Sequence, residues 1–189
     1  MQTKSEARSL TPKVEGIANA LKLTGWISGG LQLALIIVCS LVLVFAAVGR
    51  NFSEGTNPGI GIAIFWAVCA ILVLCFSVYL NFRYTRIAKG LKNPNSELRP
   101  KKADTIKILR LAVIVGLVGM LLALCGAGST LGVLVAKTAA RPPVVTINDP
   151  SQLIRPLDIY VAVASINSIF AHFVGTVGSL WLLDRVHHN

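Results

Sequence analysis

Apolar and charged residues are separated into long blocks along this chain. Four intervals contain no Asp, Glu, Lys or Arg, and they have 23, 24, 25 and 25 residues: 26–48, 59–82, 111–135 and 159–183. At a rise of about 1.5 Å per residue, a helix over each interval would cross a hydrocarbon core of about 30 Å. The pattern predicts an all-α integral membrane four-helix bundle, with residues 1–189 forming a single membrane domain.

The segments outside these intervals are short and differ in composition. The basic loop, residues 83–110, contains nine Lys and Arg residues, whereas the outer loop, residues 136–157, contains four prolines that favour turns and extended backbone. Before the first interval, Thr11, Pro12 and apolar residues at helical spacing predict a helix start. We therefore expect a short N-terminal amphipathic helix that lies on the membrane surface.

The distribution of basic residues predicts the orientation. Fourteen of the eighteen Lys and Arg residues lie in the N-terminal arm, the basic loop and the C-terminal tail, and the other four lie in the remaining connections: Arg50, Lys137, Arg141 and Arg155. Positive charge concentrates on the cytoplasmic side of membrane proteins. We therefore expect both termini and the basic loop to be cytoplasmic.

Composition supports the membrane assignment and argues against other classes. The chain is 54% hydrophobic and only 14% charged, and its net charge is +10. No recognition helix, zinc-ligand spacing or RNA-binding pattern accompanies this charge, which disfavours nucleic acid as a partner. The basic loop would instead contact anionic lipid headgroups, at about 1 kcal/mol per basic residue. A plain topology signal remains the alternative.

Motifs of the common hydrolases and nucleotide-binding enzymes are absent from the sequence. It contains no H-E-x-x-H, no nucleophile elbow, no phosphate-binding glycine loop and no paired aspartates within the apolar intervals. We therefore expect a protein that is not an enzyme and has no cofactor.

Small residues recur at helical spacing in the third and fourth intervals. Those that share a face in the third interval include Gly116, Gly119, Ala123 and Gly126, and the fourth interval contains Gly175 and Gly178. Small side chains let helix backbones approach closely in lipid, where dispersion and weak polar contacts hold helices together. We interpret these residues as helix-packing positions, with the lining of a transport pathway as the alternative.

The fourth interval also contains a polar stripe. Ser165, Ser168, His172 and Thr176 follow one another at steps of three, four and four residues, and Asn167 lies beside them. An unsatisfied polar group in lipid costs several kcal/mol, so the imidazole and the amide should face the bundle interior. Gln32 in the first interval could provide a polar partner.

His172 has two interpretations. Neutral imidazole binds transition metals and titrates near neutral pH, so His172 could be a metal ligand or a proton relay, with sulfur donors from Cys39, Cys69 and Cys125. Alternatively, His172 makes an interhelical hydrogen bond and the cysteines are small apolar fillers. No carboxylate lies within the four intervals, which disfavours a site for a hard divalent ion.

Five stretches of the chain resemble a family of small four-helix membrane proteins of cyanobacteria and plastids. The plant member of that family is the chloroplast inner-envelope permease, which is also described as a subunit of the inner-envelope protein translocon. The stretches that carry the resemblance are Gly25–Ser28 with Leu31–Leu33, Arg83–Ala88, Leu98–Pro100 with Lys102–Thr105, Gly132 with Leu134–Lys137, and Asn167 with Ala171–Phe173 and Ser179–Leu183.

The resemblance implies a multi-pass protein of a cyanobacterial plasma or thylakoid membrane. It also implies two competing roles: transport of a metal ion, iron, and a non-transporting role as a structural, protein-translocation or complex-assembly subunit. Four helices are few for a permease, so transport would require a homo-oligomer. The two roles differ in whether the stripe around His172 faces a hydrated cavity or packs dry against the first and third helices.

Overall fold

The computed structural model describes residues 12–51, 58–93, 99–139 and 156–188, and these residues form four helices. The helices are α1 (Pro12–Asn51), α2 (Pro58–Leu91), α3 (Lys102–Ala139) and α4 (Pro156–His188). Each of them is longer than the uncharged interval that it contains, and all four are long and apolar enough to cross a membrane. The chain is an all-α four-helix membrane bundle.

Local sequence explains where the helices begin. α1, α2 and α4 all begin at a proline, whose fixed φ angle suits the first turn and whose missing N–H would have no helical partner there. At the start of α3, the backbone N–H groups of Asp104 and Thr105 donate to the carbonyl of Lys101 at 3.1 and 3.2 Å. The carboxylate of Asp104 therefore lies in the first turn, where the helix dipole favours negative charge.

Consecutive helices run antiparallel and form a closed ring. α1 packs against α2 and α4, α3 packs against the same two helices, and α2 also touches α4 across the bundle. Near the start of α1, Trp26 makes an edge-to-face contact with Phe82 near the end of α2. In α4, about half of the most apolar stretch is buried inside the protein, a larger fraction than in the other three helices. Residues of α4 are therefore the ones most enclosed by the other helices.

The bundle interior contains two apolar clusters with a polar layer between them. The cluster at the end of the basic loop includes Leu21, Leu80, Tyr84, Leu109 and Leu182. The cluster at the opposite end comprises Cys39, Leu43, Ala63, Ala67, Val161 and Ala164. Between them, buried polar residues include Gln32, Ser77, Asn81 and His172.

The exterior of the bundle is more apolar than a soluble protein would tolerate. Large side chains such as Phe45, Phe65 and Leu121 are 60% or more exposed, while polar side chains such as those of Gln32 and Asn81 are buried. Contiguous apolar surface of this kind needs lipid around it, and polar groups in the hydrocarbon layer need partners inside the protein. The chain is therefore an integral, multi-pass membrane protein.

The segment before the first span differs from the sequence-based expectation. Residues 12–25 belong to the same continuous helix as the span, and residue 11 lies outside the described residues. Ala18 and Leu21 are fully buried, and Leu21 belongs to the cluster near the basic loop. This corrects the prediction of a separate helix on the membrane surface, because the apolar face of the segment packs against protein.

The two predicted loops are shorter than their charge patterns indicate. Helical structure extends from both sides into the basic loop, since α2 ends at Leu91 and α3 begins at Lys102. Residues 94–98 of this loop and residues 140–155 of the outer loop lie outside the described residues. The helices therefore extend beyond their uncharged intervals at the end that carries the basic loop.

Candidate functional site

The polar stripe of α4 faces the interior of the bundle. Ser165, Ser168, His172 and Thr176 are all buried, as their shared spacing predicts for a single face. Asn167 is only half-buried, so it lies at the edge of this face rather than being enclosed. The stripe therefore turns an imidazole and three hydroxyl groups towards the neighbouring helices.

The imidazole of His172 lies directly against α3. A Cβ atom added to Gly119 would overlap three atoms of the ring, so only glycine leaves room for it. The Nε2 atom lies 3.2 Å from the carbonyl oxygen of Ala70 in α2, and since a carbonyl can only accept, Nε2 donates. The buried Nδ1 atom has no hydrogen-bond partner among the described residues. His172 thus joins three helices at one point.

Two further glycines of α3 face hydroxyl groups of α4. A Cβ atom on Gly116 would overlap Oγ1 of Thr176, and one on Gly126 would lie 3.1 Å from Oγ of Ser165. The Thr176 hydroxyl donates to the carbonyl oxygen of His172 at 2.8 Å. The predicted packing positions of α3 therefore lie opposite the polar stripe of α4, and the two sets form one helix–helix contact.

Gln32 of α1 is the centre of a hydrogen-bond network that links α1, α2 and α4. Its Nε2 atom donates to the carbonyl oxygen of Ala171 at 3.0 Å and to Oγ of Ser77 at 3.2 Å. Its Oε1 atom accepts from Nδ2 of Asn81 at 2.7 Å. Oγ of Ser28 donates to Oδ1 of Asn81 at 3.1 Å. The amide of Gln32 is fully buried, and these bonds satisfy both of its polar atoms.

The glycines of α4 make room for α1. A Cβ atom on Gly175 would overlap Nε2 of Gln32, and one on Gly178 would lie 3.0 Å from a methyl group of Thr24. Close approach of the two backbones brings the Gln32 amide within reach of the α4 carbonyl. The small residues of α4 therefore make its polar contacts possible, because they let α1 come close enough to form hydrogen bonds with α4.

A polar stripe on α2 was missed by the sequence interpretation. Ser77, Asn81 and Tyr84 are buried at steps of four and three residues, and the hydroxyl of Tyr84 lies 2.9 Å from that of Ser179. Ser77 and Asn81 lie at the end of the second uncharged interval, and Tyr84 lies two residues after it. This stripe has the helical spacing of the stripe in α4. The second span was predicted only from its lack of charge, so the polar residues in it were not singled out.

The four residues considered as metal ligands do not come together. Sγ of Cys39 lies 3.4 Å from the carbonyl oxygen of Ala164, while Cys69 and Cys125 are each half-buried. Within the described ranges, no group of three or more His, Cys, Asp or Glu side chains is placed to hold a metal ion. A site built from His172 and these cysteines is therefore not formed in this chain.

A buried ion pair joins the end of α3 to the start of α4. Nζ of Lys137 contacts Oδ2 of Asp158, and the two side chains are 6% and 0% exposed. Both residues lie just outside the predicted spans: Lys137 is two positions after the third uncharged interval, and Asp158 is one position before the fourth. Removing one partner of such a pair leaves a buried charge, at a cost of about 3 to 5 kcal/mol.

Comparison with known proteins supports the resemblance found in the sequence. A family model described as "Protein of unknown function (DUF3611)" matches residues 11–187. "Protein TIC 21, chloroplastic", from Arabidopsis thaliana, is 31% identical over an alignment of 189 residues that covers 97% of this chain and 62% of that protein. This chain thus spans less than two thirds of the length of the relative. No solved structure matches it. The chain belongs to the DUF3611 family, whose members are described as proteins of unknown function.

Proposed function

We propose that this chain is a non-enzymatic structural subunit of a membrane protein complex, with a role in protein translocation or in complex assembly. The observation that carries the proposal is the contact of His172 with Gly119, where the imidazole occupies the space between two helix backbones. A side chain that lines a conduction pathway needs open volume beside it. This contact instead holds α3 and α4 together.

The hydrogen bonds of the polar layer support the same role. Gln32 bonds to α2 and α4, and His172 bonds to α2, so the buried polar groups connect helices to one another. Such bonds contribute about 0.6 to 2 kcal/mol each in membrane proteins. They fix the relative positions of the helices, which suits a subunit that presents a constant surface to partners.

Transport of iron, the other role that the resemblance implies, has less support. Iron is held in proteins by imidazole, thiolate and carboxylate groups acting together. In the described part of the chain, His172 is not joined by such groups. We therefore assign His172 to helix packing, as an interhelical hydrogen-bond donor.

An outward-facing stripe of small residues on α3 supports oligomer formation. Gly128, Gly132 and Ala136 lie four residues apart and are exposed, and a Cβ atom added to either glycine would meet no atom within 4 Å. A G-x-x-x-G pattern in an apolar helix lets a second helix approach closely. We assign this face to contact with a second copy of the chain or with another membrane subunit.

The proposed location and orientation follow from charge and from the relative. Because the named relative is chloroplastic, we place this chain in a cyanobacterial plasma or thylakoid membrane. The basic residues put both termini and the connection between α2 and α3 on the cytoplasmic side. At that surface they would contact anionic lipid headgroups.

Measurement of iron flux tests the proposal directly. The purified chain would be reconstituted into liposomes, and uptake of radiolabelled iron would be compared with protein-free liposomes, with an iron ionophore as the positive control. We expect uptake equal to that of the protein-free liposomes. Uptake that depends on the protein and is lost in a folded His172→Gln variant would refute the structural role.

A further inference from the structure

The end of the bundle that carries the basic loop contains an apolar cavity. Its volume is about 180 Å³, and it lies where α1, α2, α3 and α4 meet. Apolar side chains form most of its wall, and the lining residues include Ile17, Leu91, Pro100, Lys102, Thr105 and Val186. An apolar cavity of about 150 Å³ can bind benzene, so this one has room for a single apolar side chain of comparable size.

Exposed lysines lie beside this cavity. Lys102 lines it and Lys101 precedes it, and both side chains are exposed. Nζ of Lys102 lies 3.4 Å from the carbonyl oxygen of His187, which is a neutral partner. Nζ of Lys92 on the neighbouring α2 donates to Oδ1 of Asn19, again a neutral partner. Exposed lysines beside an apolar cavity favour an occupant that combines carboxylates with an apolar group.

The depth of the cavity indicates that its occupant comes from water. Ile17 lies six residues before Leu23, the first residue of the uncharged run of α1, and Leu91 lies nine residues after Phe82, the last of α2, which corresponds to about 9 and 13 Å along a helix. A headgroup layer is only about 5 to 8 Å thick on each side of the hydrocarbon core. The walls of the cavity that α1 and α2 form therefore lie beyond the reach of lipid tails, which disfavours an acyl chain as the occupant.

We propose that this cavity is the docking site for an acidic segment of a partner protein. One apolar side chain of that segment enters the cavity, and its carboxylates pair with Lys101 and Lys102. The inference rests on the proposed role as a complex subunit, because it names the surface through which a soluble region of a partner would attach.

A synthetic peptide provides the probe. A fluorescently labelled amphipathic peptide of Leu and Glu would be titrated against the full chain in nanodiscs of zwitterionic lipid. We expect saturable binding that weakens by about tenfold or more in the Lys101→Glu/Lys102→Glu variant, because charge reversal replaces attraction with repulsion. Thr105→Leu, which fills part of the cavity while leaving the charges in place, should weaken binding as well.

Matched controls separate the cavity from diffuse charge attraction. Lys107→Glu/Arg110→Glu makes the same charge change on exposed positions of the same helix, and neither residue lines the cavity. This variant should bind the peptide almost as wild type does, and a peptide with Lys in place of Glu should not bind.

Three results would overturn the proposal: no binding of the acidic peptide, equal weakening by the Lys107→Glu/Arg110→Glu control, or full binding to Thr105→Leu. A cysteine at Ile17 that crosslinks to one at Leu98 or at Leu10 would also overturn it, since the chain would then fill its own cavity. None of these results bears on iron flux, so the docking site and the structural role can fail separately.

Discussion

The imidazole ring of His172 occupies the space that a side chain at Gly119 would need. One residue is polar and the other has no side chain, yet both are required for α3 and α4 to reach their observed separation. The polar stripe and the small-residue stripe are therefore two halves of the same contact.

Gly119→Ala should destabilise the bundle. The added methyl group would displace the imidazole and weaken its hydrogen bond to Ala70, and overpacking of this kind costs about 1 to 3 kcal/mol. The melting temperature in detergent should fall. The matched control is Gly30→Ala, the same substitution at an exposed glycine of α1 with no atom within 4 Å of the added Cβ, which should melt at or above the wild-type temperature. Equal losses in the two variants would contradict the packing contact.

Substitutions of His172 should change stability and leave iron uptake at the protein-free level. His172→Gln retains a donor for the carbonyl of Ala70, so its melting temperature should remain close to that of wild type. His172→Leu removes the donor, and we expect a loss of about 1 to 2 kcal/mol in unfolding free energy. The ranking would be wrong if the Leu variant were as stable as the Gln variant.

The four helices could be predicted from the sequence because lipid imposes a simple rule on it. A charged residue in hydrocarbon is costly, so each span stands out as an uncharged interval. Where the helices end could not be predicted this way. Residues 12–25 continue the first span as one helix, and Leu21 in this segment belongs to a buried cluster with residues of α2, α3 and α4. Partners of that kind are invisible in a single sequence.

The candidate site was predictable in its residues and not in its partners. Helical spacing placed Ser165, His172 and Thr176 on one buried face. Their partners come from other helices at long sequence separations, such as Ala70 for His172, and no local pattern encodes that pairing. Lys137 was missed for the opposite reason, since it was assigned to the outer loop although the fold buries it, and its partner Asp158 lies one residue before the fourth uncharged interval.

The proposed orientation predicts which positions an impermeant reagent reaches. Single cysteines at Gln2 and Asn189 of a cysteine-free variant should resist a membrane-impermeant maleimide in intact cells, because fourteen of the eighteen basic residues keep that side cytoplasmic. A cysteine at Thr146 should be labelled. Permeabilised cells provide the control in which all three positions should react. Labelling of either terminus in intact cells would reverse the orientation.

The outward glycines of α3 should control association rather than folding. Gly128→Ile/Gly132→Ile would block close approach of a second helix without meeting any atom of the same chain. We expect less crosslinked oligomer in native membranes and a lower apparent mass in gel filtration of the detergent-solubilised protein. The melting temperature of the monomer should be preserved. Gly30→Ile, at an exposed glycine of α1 that is equally unobstructed, is the control that should leave the oligomer intact.

Removing one residue of the ion pair between Lys137 and Asp158 should destabilise the bundle far more than replacing both residues by apolar ones. Lys137→Met removes the cation that contacts Oδ2 of the buried Asp158 carboxylate, and breaking a buried pair in this way typically lowers the unfolding free energy by about 3 to 5 kcal/mol. Lys137→Met/Asp158→Leu removes both charges and should recover most of that loss. Asp184→Asn breaks the exposed pair with His188 and should change the melting temperature little. If the double variant were as unstable as Lys137→Met, the loss of stability in Lys137→Met could not be due to a desolvated charge.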